Sequence, residues 1–401
     1  MNKYDYLILG NGIAGISAAE EIRKNDSDGS IGVISEESIS TYHRPRLSHS
    51  LTKELDPETI LVKKANWYEI NNITQFLGVK VLSIQFDSSL VKTSNGEFEY
   101  NKLLISTGSK PFVPNITGID SLKVDSLRNY EDLKRINHNI SDKDNITIIG
   151  CGVLGIEAAV SIVESGKKVR MIEFAPYIMP RQLDNESSEI LRKYLFEDNI
   201  EIVTNTAIQR VVESDEKLIL MTSDGKKFET DYVLLSTGIS PETSYLNKEN
   251  LNINRGIVVD HFMKTSRKNV FAAGDVAEFE GRVIGLWKPS SDMGKCAGQN
   301  MVINDSKMLL LDFPFTMVNL SRTKIFSIGN FSDSDRVLKI KTSNESSSKI
   351  FIKDSRISGV ILIGDTSKML HLKKLVENSH KLSDEKLDLS DEKLFELILS
   401  I

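Results

Sequence analysis

The chain has 401 residues, 40% hydrophobic and 26% charged, and 50 Lys and Arg against 56 Asp and Glu leave a formal net charge of −6. That composition builds full cores, so it excludes a chain dominated by disorder; it also argues against a broad nucleic-acid surface, and no run approaches the ~18 apolar residues a bilayer span requires. The only cysteines, Cys151 and Cys296, are too few and too distant for a disulfide scaffold, an iron–sulfur cluster, a cysteine zinc site or a CxxC pair, so no metal site is expected.

The opening segment runs straight into a strand pattern with no cleavable leader, which makes the cytoplasm the expected compartment. Its apolar run Tyr6–Leu9 leads into Gly10-Asn11-Gly12-Ile13-Ala14-Gly15 and then a helix pattern over Ile16–Glu21. A second short strand, Ile31–Ile34, follows and leads to Glu36. Strand, GxGxxG, helix and an acid about 20 residues on are the parts of a dinucleotide-binding βαβ unit. Gly10 permits the tight turn, Gly12 lets the backbone approach a pyrophosphate, and Gly15 lets helix and strand pack closely. The helix N-terminus offers free N–H groups to phosphate, and Glu36, or Glu37 beside it, can accept from a ribose 2′-hydroxyl.

Short alternating strands come next, then Ser94–Gly108, which carries the turn dipeptide Asn95-Gly96 and ends in Ser106-Thr107-Gly108. The whole design then repeats. Ile146–Ile149 leads into Gly150-Cys151-Gly152-Val153-Leu154-Gly155, a helix pattern from Ile156, a strand over Val169–Ile172 and Glu173. Ser223–Gly238 repeats the earlier phrase, with Asp224-Gly225 as its turn and Ser236-Thr237-Gly238 as its end. Glu173 would repel a 2′-phosphate and so favours NADH over NADPH.

After Gly238 the pattern changes. Asn269–Asp275 is a buried strand ending in Gly274-Asp275, and a helix-like stretch lies near Gly294–Ile303. From about Phe313 short alternating strands appear, and Ser390 is a candidate N-cap near the end. The fold class expected is α/β: two Rossmann-like dinucleotide-binding domains plus a small C-terminal α+β domain. The first domain takes residues 1–108 and 239–312, the second 109–238 and the third 313–401.

Over positions 1 to about 310 these motifs resemble the FAD-dependent pyridine-nucleotide oxidoreductases. The resemblance implies that the first unit holds FAD and the second NADH. It places Gly10, Gly12, Ala14, Gly15, Glu36, Thr107, Gly108, Gly274 and Asp275 on the FAD, with Asp275 at the ribityl chain and the Val81 backbone at the adenine. Gly150, Gly152, Val153, Leu154, Gly155, Glu173 and Gly238 fall on the NADH.

Thr41-Tyr42-His43-Arg44-Pro45-Arg46-Leu47-Ser48-His49 resembles a stretch of rubredoxin and ferredoxin reductases and of the flavin half of assimilatory nitrite reductase. Arg44 and Pro45 would wall the flavin, as would Trp287 and Lys288. His49 stands where many relatives carry a lysine paired with the glutamate matching Glu157, so His49 and Glu157 become candidates for the flavin environment. Phe174–Asp184 also resembles those relatives. The first unit has no cysteine in this stretch, unlike the disulfide reductases, so electrons would leave the flavin directly.

The activity implied is transfer from NADH through FAD to a small acidic carrier, rubredoxin first. Arg44, Arg46, Lys53, Arg181 and Lys288 are candidates for a basic docking rim. Alternatives are a nitrite-reductase-type or ferredoxin reductase flavoprotein, a thiol-free NADH oxidase, and an NADH-sensing flavoprotein. A monomer is favoured over a dimer.

Overall fold

The computed structural model describes residues 2–64, 66–311, 313–343 and 346–401. The strand Asn2–Leu9 lies inside a seven-stranded sheet, with Ile31–Ile34 parallel on one side and Gly96–Ile105 parallel on the other. Ile73–Phe76 extends the sheet beyond Ile31–Ile34, and Val270–Ala272 pairs with Gly96–Ile105, both parallel. Strands buried on both faces need continuous apolar runs, and Leu7, Ile8 and Leu9 are each fully buried.

The helix Ile13–Asn25 crosses the helix Trp287–Val302 at close range. A Cβ on Gly294 would lie 2.2 Å from the Ala14 carbonyl oxygen, and one on Gly298 2.5 Å from that of Ala18. Two glycines four residues apart thus let one backbone rest on the other. This second helix starts at Trp287, earlier than the expected start near Gly294, because Pro289 sits in its first turn, where no N–H has an intrahelical partner.

The second unit has a five-stranded, all-parallel sheet in the order Ile200–Val203, Lys168–Ile172, Asn145–Ile149, Tyr232–Leu235, Val124–Ser126. The two halves differ in their antiparallel meanders. In the first, Val81–Gln85 and Leu90–Thr93 continue the main sheet through the long strand Gly96–Ile105. In the second, Ile208–Ser214, Lys217–Thr222 and Lys227–Thr230 form a separate sheet. The break falls at Asp231, whose carboxylate accepts from the backbone N–H of Asn145 at 2.8 Å instead of letting the strand run on.

The chain passes between the units along two antiparallel strands, Ser109–Pro111 and Ile239–Pro241. The expected boundary at position 312 lies outside the described residues. Beyond it an antiparallel sheet runs in the order Phe315–Asn319, Lys324–Gly329, Arg356–Ile363, Ser346–Lys353, Arg336–Ser343. Three helices follow, Met369–Glu377, Asp384–Leu387 and Asp391–Ser400. Ser390 takes the N-cap position of the last, but its side chain makes no capping bond.

One apolar core joins the three parts. It contains Leu47, Leu51 and Ile60 from the first unit, Ile156, Met179 and Leu183 from the second, and Ile325, Phe351 and Ile363 from the C-terminal sheet. No helix among the described residues is long and apolar enough to cross a membrane.

Candidate functional site

Both glycine loops take one geometry, and the three glycines divide into two kinds. Gly10 has φ +104° and a Cβ there would lie 2.2 Å from the Ser106 carbonyl oxygen; a Cβ on Gly15 would lie 2.0 Å from that of Gly10. In the second loop the matching distances are 2.3 Å from Gly150 to Ser236 and 2.3 Å from Gly155 to Gly150. These four positions are glycine because the protein's own backbone leaves no room. Gly12 and Gly152 are different: a Cβ on either would meet nothing within 4 Å, and neither has positive φ. Nothing in the fold demands glycine there. Each loop opens a helix, at Ile13 and at Val153, and a helix N-terminus with open space beside its loop is a place where a phosphate group fits.

A small cavity of about 10 Å³ adjoins the first loop, and Asn11, Gly12, Glu37, Thr41, Arg44 and Trp287 are among its lining residues. Asn11 is buried, and its side-chain oxygen accepts from the hydroxyls of Thr41 and Tyr68 at 2.8 and 3.0 Å, whereas its amide nitrogen has no partner. Such an orphaned donor beside an open loop fits an oxygen-rich ligand.

Two arginines and two acids form a linked group here, of which Arg44 and Glu37 line the cavity. Arg44 donates to Glu37 Oε1 at 2.5 Å and to the Arg128 carbonyl, while Glu37 Oε2 accepts from Tyr42 at 2.6 Å. Arg128 donates to Asp275 Oδ2 at 3.0 Å, and Asp275 also accepts from Ser109 and Ser290. Burial first, then the positive charge of Arg44, hold Arg128 below the ordinary guanidinium range. A second group of negative charge would relieve that crowding, which again fits a pyrophosphate. Gly108, at φ +72°, faces Arg128, whose Nη2 would lie 3.4 Å from a Cβ there. Thr107 turns its hydroxyl toward Tyr245, at 3.0 Å.

In the second loop Glu173 accepts from the Cys151 N–H at 2.7 Å and from the Ala175 N–H at 2.9 Å. The carboxylate thereby ties the end of its strand to the loop. Gly238 has φ +103° and open space before it. The Val153 side chain packs on the core, and Leu154 is half exposed. Cys151 is fully buried, and burial, then Glu173, pushes its thiol up; the Cys296 thiol is pushed up to about 11. Neither is a reactive thiol.

The two units meet at Glu157. Ser48 donates to its Oε2 at 2.7 Å, and His49 Nε2 lies 3.7 Å from its Oε1. Glu157 is 11% exposed, and burial raises its pKa against the pull of Ser48 and His49. Pro45 opens the turn that presents Ser48, and His43 stacks on Trp287 with ring centroids 5.4 Å apart.

Some expected residues stand apart from this assembly. Glu36 is 67% exposed and paired with Lys80 at 2.9 Å, so Glu37 is the acid that lines the cavity. Ala14 packs beneath Gly274 and Gly294, at the helix crossing. Val81 packs on the core of the first unit, and Lys288 pairs with Asp292. In the expected basic rim, Arg44 is neutralised by Glu37 and Lys53 by Glu164, while Arg46 and Arg181 have no carboxylate within ion-pair distance among the described residues. Reading the sequence missed Arg128, Asn11 and His43. Arg128 precedes a capping box, Asn129 with Asp132, that marks only a helix start. Among the described residues no group of three or more His, Cys, Asp or Glu could hold a metal ion.

The sequence profile of the pyridine nucleotide-disulphide oxidoreductases matches residues 4–294, and that of the rubredoxin NAD+ reductase C-terminal domain matches residues 314–380. The chain is 31% identical over 382 residues to an NADH-rubredoxin oxidoreductase of Clostridium acetobutylicum, covering 94% of this chain and 96% of that one. It is 29% identical over 389 residues to a nitrite reductase [NAD(P)H] of Bacillus subtilis, covering 96% of this chain but only 48% of that protein. This chain thus spans about half the length of that relative. The crystal structure of NADH:rubredoxin oxidoreductase from Clostridium acetobutylicum superposes with a TM-score of 0.82 at 28% identity, covering 99% of this chain and all of that one.

Proposed function

The chain belongs to the pyridine nucleotide-disulphide oxidoreductase family, and from that premise we propose that it is an FAD-dependent oxidoreductase passing electrons from NADH to a small acidic carrier protein, rubredoxin first. One observation carries the reading: a two-loop core with no reactive cysteine is followed by a segment matching the rubredoxin NAD+ reductase C-terminal domain. With no thiol pair to relay electrons, they must leave from the flavin itself.

The first loop, with Gly12 open and the Asn11 amide unpartnered, would hold the FAD pyrophosphate. Arg44 and Arg128 would donate to its oxygens, and Asp275 would accept from the ribityl chain. The second loop would hold the NADH pyrophosphate, with Glu173 turning away a 2′-phosphate. FAD when bound supplies hydride acceptance and single-electron release. The protein's part is geometry and electrostatics. The Trp287 helix presents its positive end to the flavin site, which favours negative charge there. The Ser48–Glu157 contact would help hold the two units together beside the flavin, and the His43–Trp287 stack would fix the Trp287 ring that lines the pocket.

The carrier would be drawn by charge complementarity to the unpaired Arg46 and Arg181. The test is anaerobic NADH oxidation by the holoenzyme with rubredoxin, ferredoxin or oxygen as sole acceptor. A preference for rubredoxin of about tenfold in kcat/KM, or roughly 1.4 kcal/mol, is the expected result. Equal, slow rates with every acceptor would move the reading to an NADH-sensing flavoprotein.

A further inference from the structure

Lys349 is one of the largest fully buried side chains of the protein, at 1% exposure, yet it plays no part in the chemistry above. It lies on the strand Ser346–Lys353 of the C-terminal sheet, and its ammonium reaches across to the second nucleotide unit. There it donates to Asp184 Oδ2 at 2.7 Å and Glu186 Oε2 at 2.9 Å. Lys339, on the neighbouring strand, adds a second cation to Glu186 at 2.6 Å. A charge is buried so fully only when it is paired and hydrogen-bonded. Removing the ammonium would leave two carboxylates at a domain junction with their main partner gone.

What those carboxylates hold is the informative part. Asp184 caps the helix Asn185–Glu197 by accepting from the Ser187 N–H. It also ends a strap, residues 174–183, that begins immediately after Glu173. The strap is pinned at three places. At its start, Glu173 takes the N–H groups of Cys151 and Ala175. In its middle, Met179 is fully buried with φ +50°, and its N–H donates to the Cys151 carbonyl at 3.0 Å. At its end, Ile178 and Asp184 are tied to the next helix through Ser188 and Ser187. Cys151 lies between the first two glycines of the second loop, so Glu173 and the strap together hold both the N–H and the C=O of one loop residue. A left-handed Met179 is a strained conformation that persists only where its surroundings fix it. The outermost fixing point of the strap is Lys349.

The geometry points to Lys349 as a positioning residue for the NADH loop, acting from the C-terminal domain through Asp184 and the strap. This inference rests on the second loop being the NADH site. It gives the C-terminal domain a role at the donor end of the reaction as well as any role at the acceptor end.

The experiment is calorimetric titration of the FAD-loaded protein with NAD+, comparing wild type with Lys349→Met and with Asp184→Asn. Asp184→Asn keeps a good helix cap while removing the charge that Lys349 holds. The expected result is a Kd for NAD+ raised about tenfold in Lys349→Met and about threefold in Asp184→Asn, with FAD content per chain unchanged in both. Should Lys349→Met not yield folded protein, Asp184→Asn alone decides. A folded variant with a lowered Tm but wild-type NAD+ affinity would overturn the inference and leave Lys349 a simple domain fastener. Failure of wild type to bind NAD+ at all would instead overturn the reading of the loop.

Discussion

Ser48 Oγ, on the first nucleotide unit, donates to Glu157 Oε2, on the helix that leaves the second glycine loop, at 2.7 Å. It is one of several bonds that link the two units, among them Arg44 to the Arg128 carbonyl and Ser161 to the Leu51 carbonyl. It also leaves a mostly buried carboxyl, raised by that burial, dependent on a single close hydroxyl and a more distant imidazole. Ser48→Ala is expected to cost roughly 1–2 kcal/mol of stability, since the acceptor stays buried without its donor. Chemical denaturation of the apoprotein measures it.

The same carboxyl gives a pH signature. A carboxyl whose folded pKa is raised contributes stability that is full below its unfolded value, near 4.5, and is lost as the pH rises through the folded value. Glu157→Gln removes that slope. The Tm of the variant is expected to fall less than that of wild type as the pH is raised from 5 toward 8. Parallel curves would mean that Glu157 ionises as freely as a carboxyl in water.

His49 Nε2 lies 3.7 Å from Glu157 Oε1, and a lysine there would set a fixed positive charge beside that carboxyl. His49→Lys is therefore expected to speed flavin reduction by NADH about threefold, because a fixed cation favours the negative charge that a reduced flavin carries. Stopped-flow traces under anaerobic conditions show it.

The glycines separate fold from binding. Gly12→Val is expected to leave the fold intact and strip FAD from the purified protein, because its side chain would occupy open space beside the loop. Gly152→Val is expected to retain FAD and lose NADH reduction. Gly10→Ala and Gly15→Ala are expected to give insoluble or unfolded chains, since each added Cβ would lie about 2 Å from a backbone oxygen. Flavin absorbance, NADH titration and circular dichroism distinguish the three outcomes.

Charge at the second acid is proposed to set the choice of nucleotide. Glu173→Ala is expected to narrow the preference for NADH over NADPH by about tenfold, or about 1.4 kcal/mol. It also frees the Cys151 and Ala175 N–H groups, so its NADH affinity falls too. Ratios of kcat/KM for the two nucleotides test this.

Much of the fold was legible because local signals agreed with one another. The strand–glycine–helix–acid order recurs twice, and both copies form parallel sheets with the same loop geometry. Cys151 and Cys296 are too far apart in sequence to suggest a pair, and each is buried as a free thiol. What escaped depends on long-range contacts that leave no local trace. Arg128 meets Asp275 only because the chain crosses between units at Ser109–Pro111. Glu36 and Glu37 are neighbours in sequence, and only the path of the chain toward Arg44 decides which one turns inward. Lys349 reads as one polar residue in an alternating strand, and only the docking of two domains buries it.

The core shared by Leu47, Met179 and Ile363 has a consequence for anyone who grafts these parts onto another scaffold. The segment from Phe315 onward has two apolar faces to satisfy, one beneath its own helices and one against the nucleotide units. Transplanted alone, it would carry a greasy underside into water and self-associate; excised, it would leave the same scar on the remainder. The last quarter of the chain is heritable only together with the surfaces it seals.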